Sequence, residues 1–137
     1  MLHKDGKIAL LKRVPLFSHC SKKQLAEIAN ITDLVVFPAG RRLIREGAVG
    51  REFMVIVDGA VEVKRKGRKV KELGAGDFIG EIALISKAPR NATVTTSQDS
   101  SLLVVTDRAF WGLLERAPDL ATSVIRALGE RLQPHDI

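Results

Sequence analysis

Residues 52–73, EFMVIVDGAVEVKRKGRKVKEL, hold three runs of strand-forming residues separated by two turn signals, Asp58-Gly59 and Lys66-Gly67-Arg68. Short valine-rich runs joined through glycine turns are the pattern of adjacent antiparallel strands. The spacing predicts strands at Glu52–Asp58, Ala60–Arg65 and Lys69–Leu73. In the first of these, Phe53, Val55 and Val57 alternate with Glu52, Met54, Ile56 and Asp58. Met54 and Ile56 are themselves apolar, so both faces of this strand are expected to be covered.

Outward from this stretch the same punctuation continues. Eight of the 11 glycines lie between Gly40 and Gly80. Further strands are expected at Asp33–Phe37, Arg42–Arg45, near Asp77, and at Ala92–Ser97 and Ser101–Thr106. The fold class is therefore mainly β with flanking helices, an antiparallel roll of jelly-roll or small-barrel type.

The flanks are helical. Ile8, Leu10, Leu11, Val14, Leu16 and Phe17 form an apolar segment broken by Pro15, which predicts a helical turn and then a kink. Ser21 is placed to cap a helix carrying Leu25, Ile28, Ala29 and Ile31 and ending near Thr32. Asp107 is placed to cap a helix with Phe110, Trp111, Leu113 and Leu114 that stops before Pro118. Asp119 opens a last helix with Leu120, Val124, Leu128 and Leu132 at four-residue spacing, joined by Ala121 and Ile125. Gly129 weakens its end. A chain of 137 residues with 45% hydrophobic content is expected to be one domain, 1–137, with a helical segment 4–32, a β-roll 33–106 and C-terminal helices 107–132.

The net charge of +6 is local. Lys64, Arg65, Lys66, Arg68, Lys69 and Lys71 supply six of the 22 basic residues, and the other 16 match 16 acidic ones. A basic hairpin is first of all a solvated edge that resists strand-on-strand association. It contains no aromatic residue to stack on a base, which argues against a nucleic-acid surface; contact with an acidic partner domain is the third reading. The single cysteine, Cys20, excludes an intrachain disulfide and a thiolate metal cluster. No secretory signal and no run of about 18 apolar residues is present, so a cytoplasmic chain without a membrane span is expected.

Residues 78–94, FIGEIALISKAPRNATV, carry the candidate chemistry. A glycine turn, a carboxylate one residue later and an arginine after a proline suit a small phosphorylated ligand. A cyclic phosphodiester on a ribose asks for one cation, an acceptor for a hydroxyl and an apolar cover for the base. Arg90 offers forked donors matched to phosphate oxygens. Glu81 can accept from a ribose 2′-hydroxyl, and Gly80 lets the backbone approach. Amides at the start of a helical turn over Glu81–Ile85 would add to the anion site. The competing reading is a plain Glu81–Arg90 salt bridge with Gly80 as a turn.

Phe78-Ile79-Gly80-Glu81-Ile82-Ala83-Leu84 followed by Pro89-Arg90-Asn91-Ala92-Thr93-Val94 resembles the phosphate-binding cassette of cyclic nucleotide-binding domains. These occur in catabolite activator protein, in regulatory subunits of cyclic AMP-dependent kinase and in cyclic nucleotide-gated channels. The resemblance extends from Val14 to Leu132 through Phe37-Pro38-Ala39-Gly40, Glu46-Gly47 and Val57-Asp58-Gly59. It implies that Glu81 holds the 2′-hydroxyl and Arg90 the phosphate. It further implies backbone contacts from Gly80, Ile82 and Ala83, with Ala92 and Thr93 near the phosphate or base. The last helix, Asp119–Leu132, would be a lid contacting the base through Leu128 and Arg131. Where relatives carry alanine or threonine after the arginine, this chain has Asn91, which both donates and accepts. With no threonine there, cyclic AMP is expected ahead of cyclic GMP.

The implied function is a non-enzymatic regulatory sensor without metal or cofactor. It would signal to an effector domain or subunit by moving its C-terminal helix. Its alternative is a ligand-free interaction module of the same fold. A metal enzyme is disfavoured because His3, His19 and His135 all lie outside the strands. Cys20 and Ser86 have no recognisable partner for nucleophilic catalysis. Direct DNA binding is not expected either, because only Gln133–Ile137 follow the last helix.

Overall fold

A computed structural model describes residues 2–130 and divides the chain into two compact units: a β-roll, Thr32–Arg108, and a helical unit formed by the segments up to Ile31 and from Ala109. The roll contains β1 (Asp33–Phe37), β2 (Arg42–Ile44), β3 (Glu52–Asp58), β4 (Ala60–Arg65), β5 (Arg68–Gly74), β6 (Phe78–Ile79), β7 (Thr93–Thr96) and β8 (Ser100–Thr106). They form two four-stranded sheets, in the orders β1-β8-β3-β6 and β2-β7-β4-β5, with antiparallel pairing throughout.

Between the sheets, Met54, Ile56 and Leu102 from the first meet Ile44, Val61, Val63 and Val94 from the second. The register explains the meeting, since β4 sets Val63 opposite Val94 of β7, and β3 sets Ile56 opposite Leu102 of β8. Phe53 and Val55, of the other parity of β3, are also buried, as the apolar run along that strand led one to expect. Phe53 packs its ring on Phe78, the centroids 6.1 Å apart. β6 is thereby held against β3 at the entrance to the cassette.

The β4–β5 hairpin closes through Lys66 and Gly67, both in the left-handed region, the two-residue turn whose twist suits a hairpin. Its register is not uniform. Val63 pairs with Lys71 but Lys64 with Lys69, so Val70 is an inserted bulge residue. Lys69 therefore falls on the outer face with Lys64, while Lys71 falls on the inner face with buried Val63. On the outside, Lys64 pairs with Glu62 at 3.3 Å and Lys69 with Glu72 at 3.4 Å.

The helical unit contains α1 (Lys4–Lys12), a 3-10 turn at Pro15–Phe17, α2 (Lys22–Asn30), most of α3 (Asp107–Arg116) and α4 (Pro118–Gly129). Helix α1 is longer than the single turn expected. Ser21 caps α2 reciprocally: its Oγ accepts from the Gln24 N–H at 3.1 Å, and Gln24 Oε1 accepts from the Ser21 N–H at 2.9 Å. Gln24 Oε1 also accepts from Ser123 Oγ of α4 at 2.9 Å, which ties the two helices together. Phe17 and Phe110 pack with centroids 6.0 Å apart. His19 Nε2 lies 2.6 Å from Glu130 Oε1.

Helix α4 differs from expectation at its start and on one face. Pro118 rather than Asp119 begins it, and no side chain caps it. Its fixed φ and missing N–H suit the first helical position. Leu120, Val124 and Ala127 are its buried residues, whereas Ile125 is 66% exposed. Four-residue steps drift around a helix of 3.6 residues per turn, so the buried stripe passes to Ala127. No helix among the described residues is long and apolar enough to cross a membrane.

Candidate ligand-binding site

The site begins where β6 ends. Gly80, at φ +77°, takes the left-handed conformation that lets the chain reverse into a 3-10 turn, Glu81–Leu84. Ala83 and Leu84 anchor that turn by burial, and the turn packs on β3. The Ala83 N–H donates to Gly80 O at 2.9 Å, and the Ser86 N–H donates to Ile82 O at 2.8 Å. The side chain of Ile82 stays exposed beside Glu81.

Arg90 returns to this turn from the other side of the cassette. Its N–H donates to Ala48 O and its carbonyl accepts from the Gly47 N–H, each at 2.8 Å. Its side chain is held too, since Nη2 donates to the Glu52 carbonyl at 2.6 Å. The guanidinium passes over two glycines, Gly50 and Gly80, and a Cβ at either would occupy its space. Burial lowers the guanidinium pKa and the Glu52 carboxylate opposes that shift. The group stays cationic at neutral pH, since arginine is not deprotonated in proteins. A charge partly buried and held in this way interacts more strongly with an anion than one free in solvent.

Around it lies a cavity of about 420 Å³ within the β-roll. One wall is the cassette, with Phe78 to Ala83 and Ala88 to Ala92. The other is formed by Ile44 and Val94 with Val63, Arg65, Lys71 and Leu73 of β4 and β5. One bond joins the two walls, Arg65 Nε donating to Asn91 O at 3.0 Å, and beyond them the Lys66 N–H donates to Glu46 Oε1 at 2.9 Å.

Gly80, Glu81, Ile82, Ala83, Arg90, Asn91 and Ala92 thus all line one cavity. Thr93 does not; its Oγ1 accepts from the Glu46 N–H at 3.0 Å. Leu128 is partly buried on α4 and is not among the lining residues, and Arg131 lies outside the described residues. Residues that sequence reasoning did not assign to the site also contribute to it, among them Gly50 and Glu52, which seat Arg90, and Arg65 and Lys71 on the far wall. Gly50 was visible only as one of many glycines, and Lys71 only as one of six clustered cations. Elsewhere, burial pushes the Cys20 thiol up to about 11, so it is neutral at physiological pH. No group of three or more His, Cys, Asp or Glu able to hold a metal occurs among the described residues.

Comparison with known proteins matches residues 34–117 to the family model described as a cyclic nucleotide-binding domain. The chain is 39% identical over 120 residues to a cAMP-dependent protein kinase regulatory subunit of Schizosaccharomyces pombe, covering 87% of this chain and 29% of the relative. It is 38% identical over 122 residues to a cyclic nucleotide-gated potassium channel of Rhizobium etli, covering 89% and 34%. It therefore spans about a third of the length of these two relatives. Among solved structures, the N-terminal domain of a transcriptional regulator from Streptomyces coelicolor A3(2) superposes with a TM-score of 0.83 at 30% identity, covering 93% of this chain and 94% of that one.

Proposed function

The chain belongs to the cyclic nucleotide-binding domain family, and on that premise we propose that its β-roll cavity binds a purine 3′,5′-cyclic mononucleotide and releases it unchanged. The observation that carries this reading is the seating of Arg90. A guanidinium held over Gly50 and Gly80 and oriented by the Glu52 carbonyl has its remaining donors directed for a phosphate. Glu81, one residue past the reversal at Gly80, accepts from the ribose 2′-hydroxyl. In a 3-10 turn the first amides lack intrahelical partners, so Ile82 adds a backbone donor while Ala83 supplies packing and its N–H closes the turn. Ala92, Val63 and Leu73 give the base apolar surface.

The role is regulatory rather than catalytic. Binding shifts the population of positions taken by the C-terminal helix, including Leu128 and Arg131, and an effector domain or subunit reads the shift. A ligand bound equally well in every helix position would shift nothing. The reading as a ligand-free interaction module is less well supported, because such a module has no use for a desolvated arginine held over two glycines.

Calorimetric titration of the chain with cyclic AMP and cyclic GMP tests the binding. Saturable association by the parent, lost in Arg90→Ala with the circular dichroism spectrum unchanged, is the expected result. Equal affinities for parent and variant would remove the phosphate assignment. The exposed Trp111 of α3 offers an optical report of helix rearrangement during the same titration.

A further inference from the structure

β5 and β1 each end a sheet, yet their free edges are built differently. Strand edges are kept from pairing with other chains by charge and by bulges. β5 has both, with Arg68, Lys69 and Lys71 along it and an inserted residue at Val70. β1, Asp-Leu-Val-Val-Phe, has neither: it contains no basic residue, and its register on β8 runs unbroken from Asp33 to Phe37. Among the described residues, Asp33 to Phe37 make no hydrogen bond outside that ladder, so the other edge of β1 keeps its amides and carbonyls unpaired. Val35 and Phe37 turn inward, to a cavity of about 240 Å³ between β1 and β2. Leu34 and Val36 stand on the opposite face, and Val36 is 71% exposed.

We infer that β1 is an interface for a second copy of this chain, the two β1 strands pairing antiparallel about a twofold axis at Val35 and joining their four-stranded sheets edge to edge. The edge is complementary to itself in two respects, as an isologous contact requires. An axis at Val35 sets Leu34 opposite Val36 of the second copy, so the exposed aliphatic side chains of both strands meet on one face. The same axis sets Asp33 opposite Phe37 of the second copy. Arg41 lies over the Phe37 ring, its guanidinium carbon 5.8 Å from the centroid. Asp33 shares the face of Val35 and Phe37, because side chains alternate along a strand. The Asp33 carboxylate and the Arg41 guanidinium have no ion-pair partner among the described residues. In the pair, the acid of each copy meets the arginine of the other at both ends of the ladder. An axis one residue further on, at Val36, would bring Pro38 into the ladder, where it has no N–H to donate. None of these residues lines the nucleotide cavity, so the pairing stands apart from the binding proposed there.

Sedimentation velocity of the 137-residue chain over a range of concentrations tests this. The parent is expected to pass from one chain to two as concentration rises, and to do so more readily at low salt. Asp33→Arg and Arg41→Glu should each weaken association about tenfold or more, since either change puts like charges together at both ends of the ladder. Combining Asp33→Arg with Arg41→Glu restores opposite charges and should bring association back to within about threefold of the parent. Val36→Lys, at a position exposed in the single chain, should also weaken association about tenfold or more, with circular dichroism and thermal unfolding of the dilute protein unchanged. Recovery in the double exchange separates loss of an interface from loss of the fold. A parent that remains a single chain at every concentration overturns the pairing. So does a dimer indifferent to Val36→Lys, or one lost in the single charge variants and not recovered when they are combined.

Discussion

The two walls of the cavity hold cations in opposite ways. On the cassette wall, Arg90 is partly buried, donates to a backbone carbonyl and lies over two glycines, so it has one place to be. On the β4–β5 wall, Lys71 is exposed and unpaired among the described residues, on a strand whose inward parity depends on a bulge. The first arrangement is the better anchor for an anion, because less side-chain freedom is lost on contact.

The sharpest way to break this contrast is to remove the fixed cation. Arg90→Ala should weaken cyclic nucleotide binding about a hundredfold, the upper end for loss of a charge-assisted hydrogen bond, with thermal stability little changed. A loss of less than about threefold would mean that the cassette wall is not the anchor.

Gly50→Ala tests whether the seat matters as much as the side chain. The new methyl would take the place of the guanidinium, whose flexible end can swing aside without unfolding the roll. Affinity should fall about tenfold or more for every cyclic nucleotide alike. A crystal structure of the variant should show Arg90 displaced from the Glu52 carbonyl. An unmoved arginine would contradict the steric account.

Glu81→Gln should act more weakly and more selectively. A loss of about five- to tenfold with ribose ligands should largely vanish with 2′-deoxy cyclic nucleotides, because the lost acceptor then has no donor to serve. Equal losses for both ligand types would place the carboxylate elsewhere than at the 2′-hydroxyl.

The smallest effect is expected from the outer face of the basic hairpin. Neutralising Lys64, Lys66 and Lys69 should leave affinity within about twofold, since exposed charges are screened and two of these already face glutamates. A large, salt-sensitive loss would show that the hairpin acts as a field and not through the one lysine turned inward.

Much of this was legible in the chain. The strands at Glu52–Asp58 and Ala60–Arg65 fall where valine-rich runs and Asp58-Gly59 put them, because turn chemistry and alternation are local properties. The cap at Ser21 was readable for the same reason, although its further bond to Ser123 was not. Glu81 and Arg90 were singled out by the resemblance to the cyclic nucleotide-binding cassette, since their chemistry alone left a plain salt bridge between them open. Thr93 was set near the phosphate or base by the resemblance; in the structure its hydroxyl accepts from the Glu46 amide and it is not part of the cavity lining. Ile125 was joined to the apolar stripe of α4, yet it follows buried Val124 directly and so points about 100° away around the helix, into solvent.

The sequence by itself determined the antiparallel β class and the helical flanks, since turn signals, alternation and caps are local properties, and its resemblance to a known family marked the cassette. Only the tertiary structure decided that Gly50 and the Glu52 carbonyl seat Arg90, because those groups lie 40 and 38 residues from it and are brought to it by sheet pairing. It alone decided that Arg65 and Lys71, among six similar cations, line the cavity. A single bulge residue reverses the parity of a strand, and where the bulge falls depends on how β5 pairs with β4 rather than on the composition of either.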